Sequence, residues 1–248
     1  MAWLESNAPA VYFQRQKAGS PMTDQPETGF PESFAESLAA ATPTPGGGAA
    51  AARVGLLATS LVRMVAGISL QKMQGNTSSE EPSDERGPAI LEEAAGSAVE
   101  LARGFRQLEA ADIAVFDDFM AALRLPKESE EEKSKRKLAL CDAAEKATNV
   151  PLDTLSACLG VCDLIDTLLD AASVGVVRLG ADSDLGAALE FSHAAFRSAE
   201  LNIHSNLSML GEDPRSEALV MRYEALRERF EEELPALRTR VLEWLETH

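Results

Sequence analysis

The feature that most constrains the fold is a glycine-rich loop followed at once by a long helix-forming run. The loop, Thr42-Pro43-Thr44-Pro45-Gly46-Gly47-Gly48, holds two prolines and three glycines, which end any preceding helix and leave an extended backbone. The run from Ala49 to Leu70 is rich in alanine, leucine and other residues that favour a helix. Several free backbone N–H groups therefore point to one place at the positive end of a helix dipole. Either an anionic or carbonyl-bearing ligand binds there, or the segment is only a helix N-cap that packs closely against other helices.

The rest of the chain also reads as helices, because no segment alternates polar and apolar residues with a period of two. The sequence predicts an all-α fold, an antiparallel up-and-down helical bundle, with one domain over residues 30–248 and an extension outside the core over 1–29. A polar, acidic loop is predicted from Thr77 to Gly87. The expected helices span about Pro31–Ala41, Ala49–Gly75, Pro88–Leu125, Ser129–Thr148, Leu152–Val177, Ser183–Leu210 and Asp213–Trp244.

Three of these boundaries depend on specific terminal residues. Ser129 and Glu132 have the spacing of a capping box, and Ser183-Asp184 and Asp213-Pro214 are predicted to cap the last two helices. Asn149-Val150-Pro151 is predicted to break a helix, because proline lacks the N–H that a helix interior needs.

Charge, the apolar stretch and the cysteine content argue against some partners and indicate the setting of the protein. The net charge of −17, from 40 acidic and 23 basic residues, argues against nucleic acid and anionic membrane as partners. The apolar stretch Val54–Leu70 contains Arg63 and follows Arg53, which argues against a membrane span. Three cysteines without zinc spacing and without a signal peptide are typical of a reduced, cytoplasmic setting.

One carboxylate stands out on the third expected helix. Asp112 is flanked by alanine and isoleucine, so partial burial would raise its pKa and suit it to general acid–base catalysis. The alternative is an ordinary exposed side chain.

No metal site is predicted from the histidines. His193 and His204 are eleven residues apart and aligned on one helix face, but no third ligand accompanies them.

Several motifs together resemble one known family, the cyclodeaminase/cyclohydrolase family, in its order and spacing from about Phe34 to Asp213. That family includes the cyclodeaminase domain of formiminotransferase-cyclodeaminase and stand-alone methenyltetrahydrofolate cyclohydrolases. The motifs are the glycine loop, Met64-Val65, Asp112-x-x-x-Phe116, Leu125-Pro126-Lys127, Glu131-Glu132-Lys133-x-x-Arg136, Ala147-x-x-Val150-Pro151-Leu152, Ser183-Asp184, Arg197-Ser198-Ala199 and Asn202-x-x-x-Asn206.

The resemblance implies an all-helical homodimer that binds a tetrahydrofolate derivative in a cleft near the subunit interface, with no cofactor beyond this substrate. The implied reaction is hydrolysis of methenyltetrahydrofolate to formyltetrahydrofolate. The first alternative is cyclisation of formiminotetrahydrofolate with loss of ammonia, and both reactions pass through a tetrahedral carbon between two nitrogens.

The resemblance also implies roles for individual residues. Asp112 would be the catalytic acid/base, and Asp184 would bind or orient the pterin ring. The implied substrate-binding set is Pro45, Gly46, Gly47, Gly48, Lys72, Asp184, Asn202 and Asn206. For the two asparagines, which lie one helical turn apart, hydrogen bonding between helices is an equal alternative.

The chain departs from the family pattern at three places, one of which is His204, between the two asparagines but on the opposite helix face. The Gly-Asn pair expected shortly before Ser183-Asp184 is missing from Gly175–Asp182, and if Arg178 occupies its place, a guanidinium replaces a neutral amide there. Only Lys72 remains of the basic cluster after the glycine-loop helix. These departures leave open a third interpretation, a divergent helical dimer that has lost folate chemistry and serves as a binding module or acts on another ligand.

Overall fold

The predicted all-α class is confirmed by the structure, a computed structural model that describes residues 32–75, 86–211 and 213–247. Within these residues every regular element is a helix. The predicted extension over 1–29 and most of the Thr77–Gly87 loop lie outside the described residues. The elements are α1 (Glu32–Ala39), α2 (Gly47–Gly75), α3 (Arg86–Leu123), α4 (Glu130–Ser173), α5 (Asp182–Leu210) and α6 (Arg215–Thr247).

Helices α2, α3, α4 and α5 form a bundle in which each helix packs antiparallel to the next, and α5 closes the ring against α2. The predicted up-and-down arrangement is therefore confirmed. Helix α6 packs outside this ring on α4 and α5 and runs parallel to α4. Its arginines contact acidic residues along α4, from the pair Arg215–Asp142 at 2.6 Å near the start of α6 to the pair Arg240–Asp166 near its end.

Small residues let α2 lie deep in the bundle. Its alanines at 49, 51, 52 and 58 are fully buried or nearly so, and so are Val62 and Val65. At Gly55 a Cβ would lie only 2.2 Å from Cε1 of the buried Phe105 ring of α3, so glycine allows the close approach of these two helices. By length and composition α2 could also cross a bilayer, but its packing against α3 and α5 identifies it as a core helix.

Two of the three predicted caps are present. Ser129 Oγ accepts a hydrogen bond from Glu132 N at 3.2 Å, and Glu132 Oε2 accepts from Ser129 N at 2.9 Å, which completes the capping box of α4. Asp213 Oδ1 accepts from Arg215 N at 3.0 Å. The predicted Ser183-Asp184 cap is wrong, because α5 begins at Asp182 after Ala181, whose φ of 62° is left-handed and whose side chain offers no acceptor.

The predicted helix break at Asn149-Val150-Pro151 is also wrong, since α4 runs unbroken through Pro151 for 44 residues. Proline removes the N–H that would bond to the carbonyl of Ala147, four residues earlier. Nδ2 of Asn206 on α5 donates to that carbonyl at 2.7 Å instead. A side chain from a neighbouring helix thus replaces the missing backbone bond.

Candidate active site

A cavity of about 260 Å³ lies where the N-terminus of α2 meets α3, α4 and the second half of α5. Its polar lining comes from the glycine loop, Asp112, Asn202 and Asn206, and its apolar wall includes Phe116, Phe119 and Met209. Four separate stretches of the sequence therefore converge here. Of the predicted site residues, Gly46, Gly47, Gly48, Asp112, Asn202 and Asn206 line the cavity, and Pro45 lies in the loop between two lining residues, Thr44 and Gly46.

Asp112 sits directly against the first turn of α2. Its Oδ2 accepts a hydrogen bond from Ala49 N at 2.8 Å. A Cβ on Gly48 would lie 2.0 Å from Asp112 Oδ1, so only glycine leaves room for this carboxylate. The positive end of the α2 dipole is thus already paired with a carboxylate of the same chain, and the glycine loop serves first to seat Asp112.

The surroundings of Asp112 favour its protonated form. Burial raises the pKa of this carboxyl above its ordinary value, and the hydrogen bond from Ala49 offsets only part of that rise. A carboxylate with a raised pKa is a stronger base than one in water. Asp112 is therefore suited to accept and return a proton within the cavity.

Beside Asp112, an ion pair that sequence reasoning missed fixes α2 against α3. Arg53 Nε donates to Glu109 Oε2 at 2.6 Å, and a second guanidinium nitrogen of Arg53 contacts the other oxygen of Glu109. The guanidinium of Arg53 also stacks on the ring of Phe34 from α1, 4.3 Å from the ring centroid. The sequence did contain a signal for this ion pair. Arg53 lies one helical turn after Ala49, and Glu109 lies one turn before Asp112, so two antiparallel helices that bring Ala49 to Asp112 also bring Arg53 to Glu109.

Both asparagines offer the cavity an amide oxygen as an acceptor, although each amide nitrogen keeps a second N–H. Asn202 Nδ2 donates to Ser198 O at 3.2 Å within α5, and Asn206 Nδ2 donates to Ala147 O at 2.7 Å. A carbonyl oxygen only accepts, so these bonds set which side of each amide carries the nitrogen. In the described part of the chain no donor reaches either Oδ1, which leaves both oxygens for a ligand.

Two predicted substrate-binding residues, Lys72 and Asp184, lie away from the cavity. Lys72 follows Gly48 by 24 residues along one continuous helix, which at 1.5 Å per residue is roughly 36 Å. Its Nζ would lie 2.8 Å from a Cβ on Gly180, just before α5, and Asp184 is in the first turn of that helix. Arg178, the residue at the departure from the family pattern, is exposed in the same region. Within one chain the structure does not bring these residues to Asp112.

The two histidines noted in the sequence have structural partners. His204 Nε2 is 3.1 Å from the hydroxyl of Tyr223, and His193 Nδ1 is 3.0 Å from a guanidinium nitrogen of Arg238. Among the described residues no cluster of histidine, cysteine, aspartate and glutamate has a geometry that could hold a metal ion.

Two comparisons of sequence show the family of this chain, and a comparison of structures shows its fold. The sequence profile of the formiminotransferase-cyclodeaminase family matches residues 31–225. A methenyltetrahydrofolate cyclohydrolase from Methylorubrum extorquens is 33% identical over 195 residues, which cover 79% of this chain and 87% of that protein. The crystal structure of formiminotetrahydrofolate cyclodeaminase from Thermotoga maritima matches with a TM-score of 0.65 and 24% identity, over 86% of this chain and 94% of the other.

Proposed function

Because this chain belongs to the formiminotransferase-cyclodeaminase family, we propose that it hydrolyses methenyltetrahydrofolate to formyltetrahydrofolate. The observation that carries the proposal is the position of Asp112, half-buried at the wall of the cavity with a raised pKa. The relative from Methylorubrum extorquens, similar over most of both chains, carries the name of this activity.

The chemistry needs one group that takes and returns a proton. The methenyl carbon is bonded to two nitrogens that share a positive charge, and a water molecule attacks it. The carboxylate of Asp112 accepts a proton from that water as the C–O bond forms. The acid form then protonates one nitrogen of the tetrahedral intermediate, and the C–N bond breaks as the hydroxyl oxygen releases its proton to solvent water and becomes the formyl oxygen. Formyltetrahydrofolate and one proton are the products, and the carboxylate of Asp112 is restored.

The cavity supports this chemistry by its shape and charge. The apolar rings of Phe116 and Phe119 form a wall against which a flat pterin ring can pack. The ionised form of Asp112 attracts the positively charged methenyl bridge, and the partly apolar surroundings strengthen that attraction.

The same group also suits the second candidate reaction, cyclisation of formiminotetrahydrofolate with loss of ammonia. The name of the matched family profile favours this reaction, and Asp112 in its acid form would protonate the leaving amino group. A direct comparison of the two substrates with the purified protein distinguishes the two activities.

We also propose that the chain forms a homodimer. Helices α2 and α3 pack against each other, and each exposes a large apolar side chain, Met64 and Val99, by about two-fifths. A second copy packed across α2 and α3 would cover such side chains. Lys72 and Asp184, which lie far from the cavity of their own chain, would then act only at the cavity of the partner.

The test is loss of the methenyl chromophore, corrected for spontaneous hydrolysis, in wild type, Asp112→Asn and Asp117→Asn. Asp112→Asn is expected to lower kcat by about a hundredfold or more, the usual scale of acid–base catalysis. Asp117 is exposed on the same helix and serves as the matched control, with a much smaller loss. Equal losses in both variants, or none in Asp112→Asn, would mean that Asp112 is not the acid/base.

A further inference from the structure

Proline inside a helix has a structural consequence at the carbonyl four residues before it. The ring removes one backbone N–H and also clashes with that carbonyl, which turns outward from the helix axis. In α4 the proline is Pro151, which is buried, and the carbonyl is that of Ala147, a residue that lines the cavity. Pro151 itself does not line the cavity, so any effect on a ligand must act through Ala147 and its partner.

The partner of that carbonyl is the side chain of Asn206. The 2.7 Å bond from Asn206 Nδ2 to Ala147 O joins α5 to α4 at the cavity wall. An N–H at residue 151 would bond to Ala147 O along the helix axis and draw that carbonyl back toward the axis, which weakens its bond to the amide of Asn206. The position of the amide oxygen therefore depends on the proline.

We infer that Pro151 is a positioning residue, which orients Asn206 so that its amide oxygen accepts a hydrogen bond from the donor edge of a pterin. The inference rests on the proposed function, because the pterin of a folate carries a ring N–H and an amino group side by side. Asn202, one turn earlier and also with its nitrogen engaged, supplies a second acceptor. Neither asparagine is required to move a proton, so we expect both to contribute to binding of the substrate and not to the chemical step.

The first arm of the test measures kinetics of Pro151→Ala, Asn206→Ala and the double variant. Pro151→Ala is expected to raise KM for methenyltetrahydrofolate about three- to tenfold, the scale of one oriented hydrogen bond, and to change kcat less than twofold. The pH profile set by Asp112 should not move. The double variant should be no worse than Asn206→Ala alone, because Pro151 acts only through Asn206.

Pro235→Ala is the matched control. Pro235 is the interior proline of α6, exposed on the outer helix, and does not line the cavity. Its replacement is expected to leave KM unchanged. A rise in KM equal to that of Pro151→Ala would assign the effect to general helix changes and overturn the inference, and so would additive effects in the double variant.

The second arm is independent of activity. Asn206→Ala leaves Ala147 O without its donor and is expected to lower the thermal midpoint by about 2–4 °C in the wild-type background. In the Pro151→Ala background the loss should nearly vanish, because the restored N–H takes over. Equal losses in both backgrounds would overturn the inference. A wild type without turnover would instead overturn the proposed function, while this thermal cycle still decides whether Pro151 orients Asn206.

Discussion

The absence of one Cβ, at Gly48, decides whether Asp112 can reach the N-terminus of α2. In Gly48→Ala the new Cβ would lie 2.0 Å from Asp112 Oδ1, and the short aspartate side chain would have to turn away from Ala49 N. We expect kcat/KM to fall by about tenfold or more, since Asp112 leaves its productive position.

Gly67→Ala in the same helix is the control for Gly48→Ala. Apart from its chain neighbours and its own helix backbone, no atom lies within 4 Å of a Cβ at this position. The variant is expected to keep full activity and to gain about 0.5–1 kcal/mol in free energy of unfolding, because alanine favours a helix more than glycine does. Similar activity in both alanine variants would contradict the assigned role of Gly48.

The raised pKa of Asp112 predicts how the stability of the fold depends on pH. Its folded-state pKa is raised by burial, so the folded protein binds this proton more tightly than the unfolded chain. The stability that this proton contributes is complete below the unfolded-state pKa and is lost as the pH rises through the folded-state pKa. Asp112→Asn keeps an acceptor for Ala49 N and avoids the buried charge. We therefore expect its thermal midpoint to exceed that of wild type by more at pH 7 than at pH 3.5, and a lower midpoint at pH 7 would contradict this.

Among whole elements, the contact between α2 and α3 is the most sensitive to added volume. Gly55→Ala would place a Cβ 2.2 Å from Cε1 of Phe105, whose ring is fully buried and cannot move aside freely. We expect a loss of about 1–3 kcal/mol in free energy of unfolding, measured by urea denaturation. Gly104→Ala is the control and should not destabilise, because a Cβ at this position would meet no atom within 4 Å other than its chain neighbours and its own helix backbone.

For the whole molecule, the proposed dimer predicts a mass in solution twice the 26.5 kDa of one chain. Met64→Glu would bury a charge in the proposed contact and is expected to yield monomer in sedimentation at micromolar concentration. Leu242→Glu, at an exposed position on the outer helix α6, should remain dimeric. A monomeric wild type would refute the dimer without affecting the cavity.

Local sequence patterns determined the helical class, most helix boundaries and the first half of the site. Proline and glycine at 43–48 end one helix and begin the next whatever surrounds them, and Ser129 with Glu132 makes a cap from residues three apart. Asp112 could be selected because its apolar neighbours in the sequence already predicted burial, which the structure shows. These features depend on neighbours within one or two turns, which a sequence displays directly.

Only the tertiary structure decided the features that depend on a partner far along the chain. Pro151 breaks no helix because Asn206, 55 residues later, supplies the missing donor. Arg53 forms its ion pair with Glu109 only because α2 and α3 pack antiparallel in one register. Lys72 lies in the last turn of α2 and Asp184 in the first turn of α5, so antiparallel packing places both at the end of the bundle opposite Asp112. The family resemblance assigns all three residues to one site. Residue types and spacings identify candidates, but the register between helices determines which of them meet.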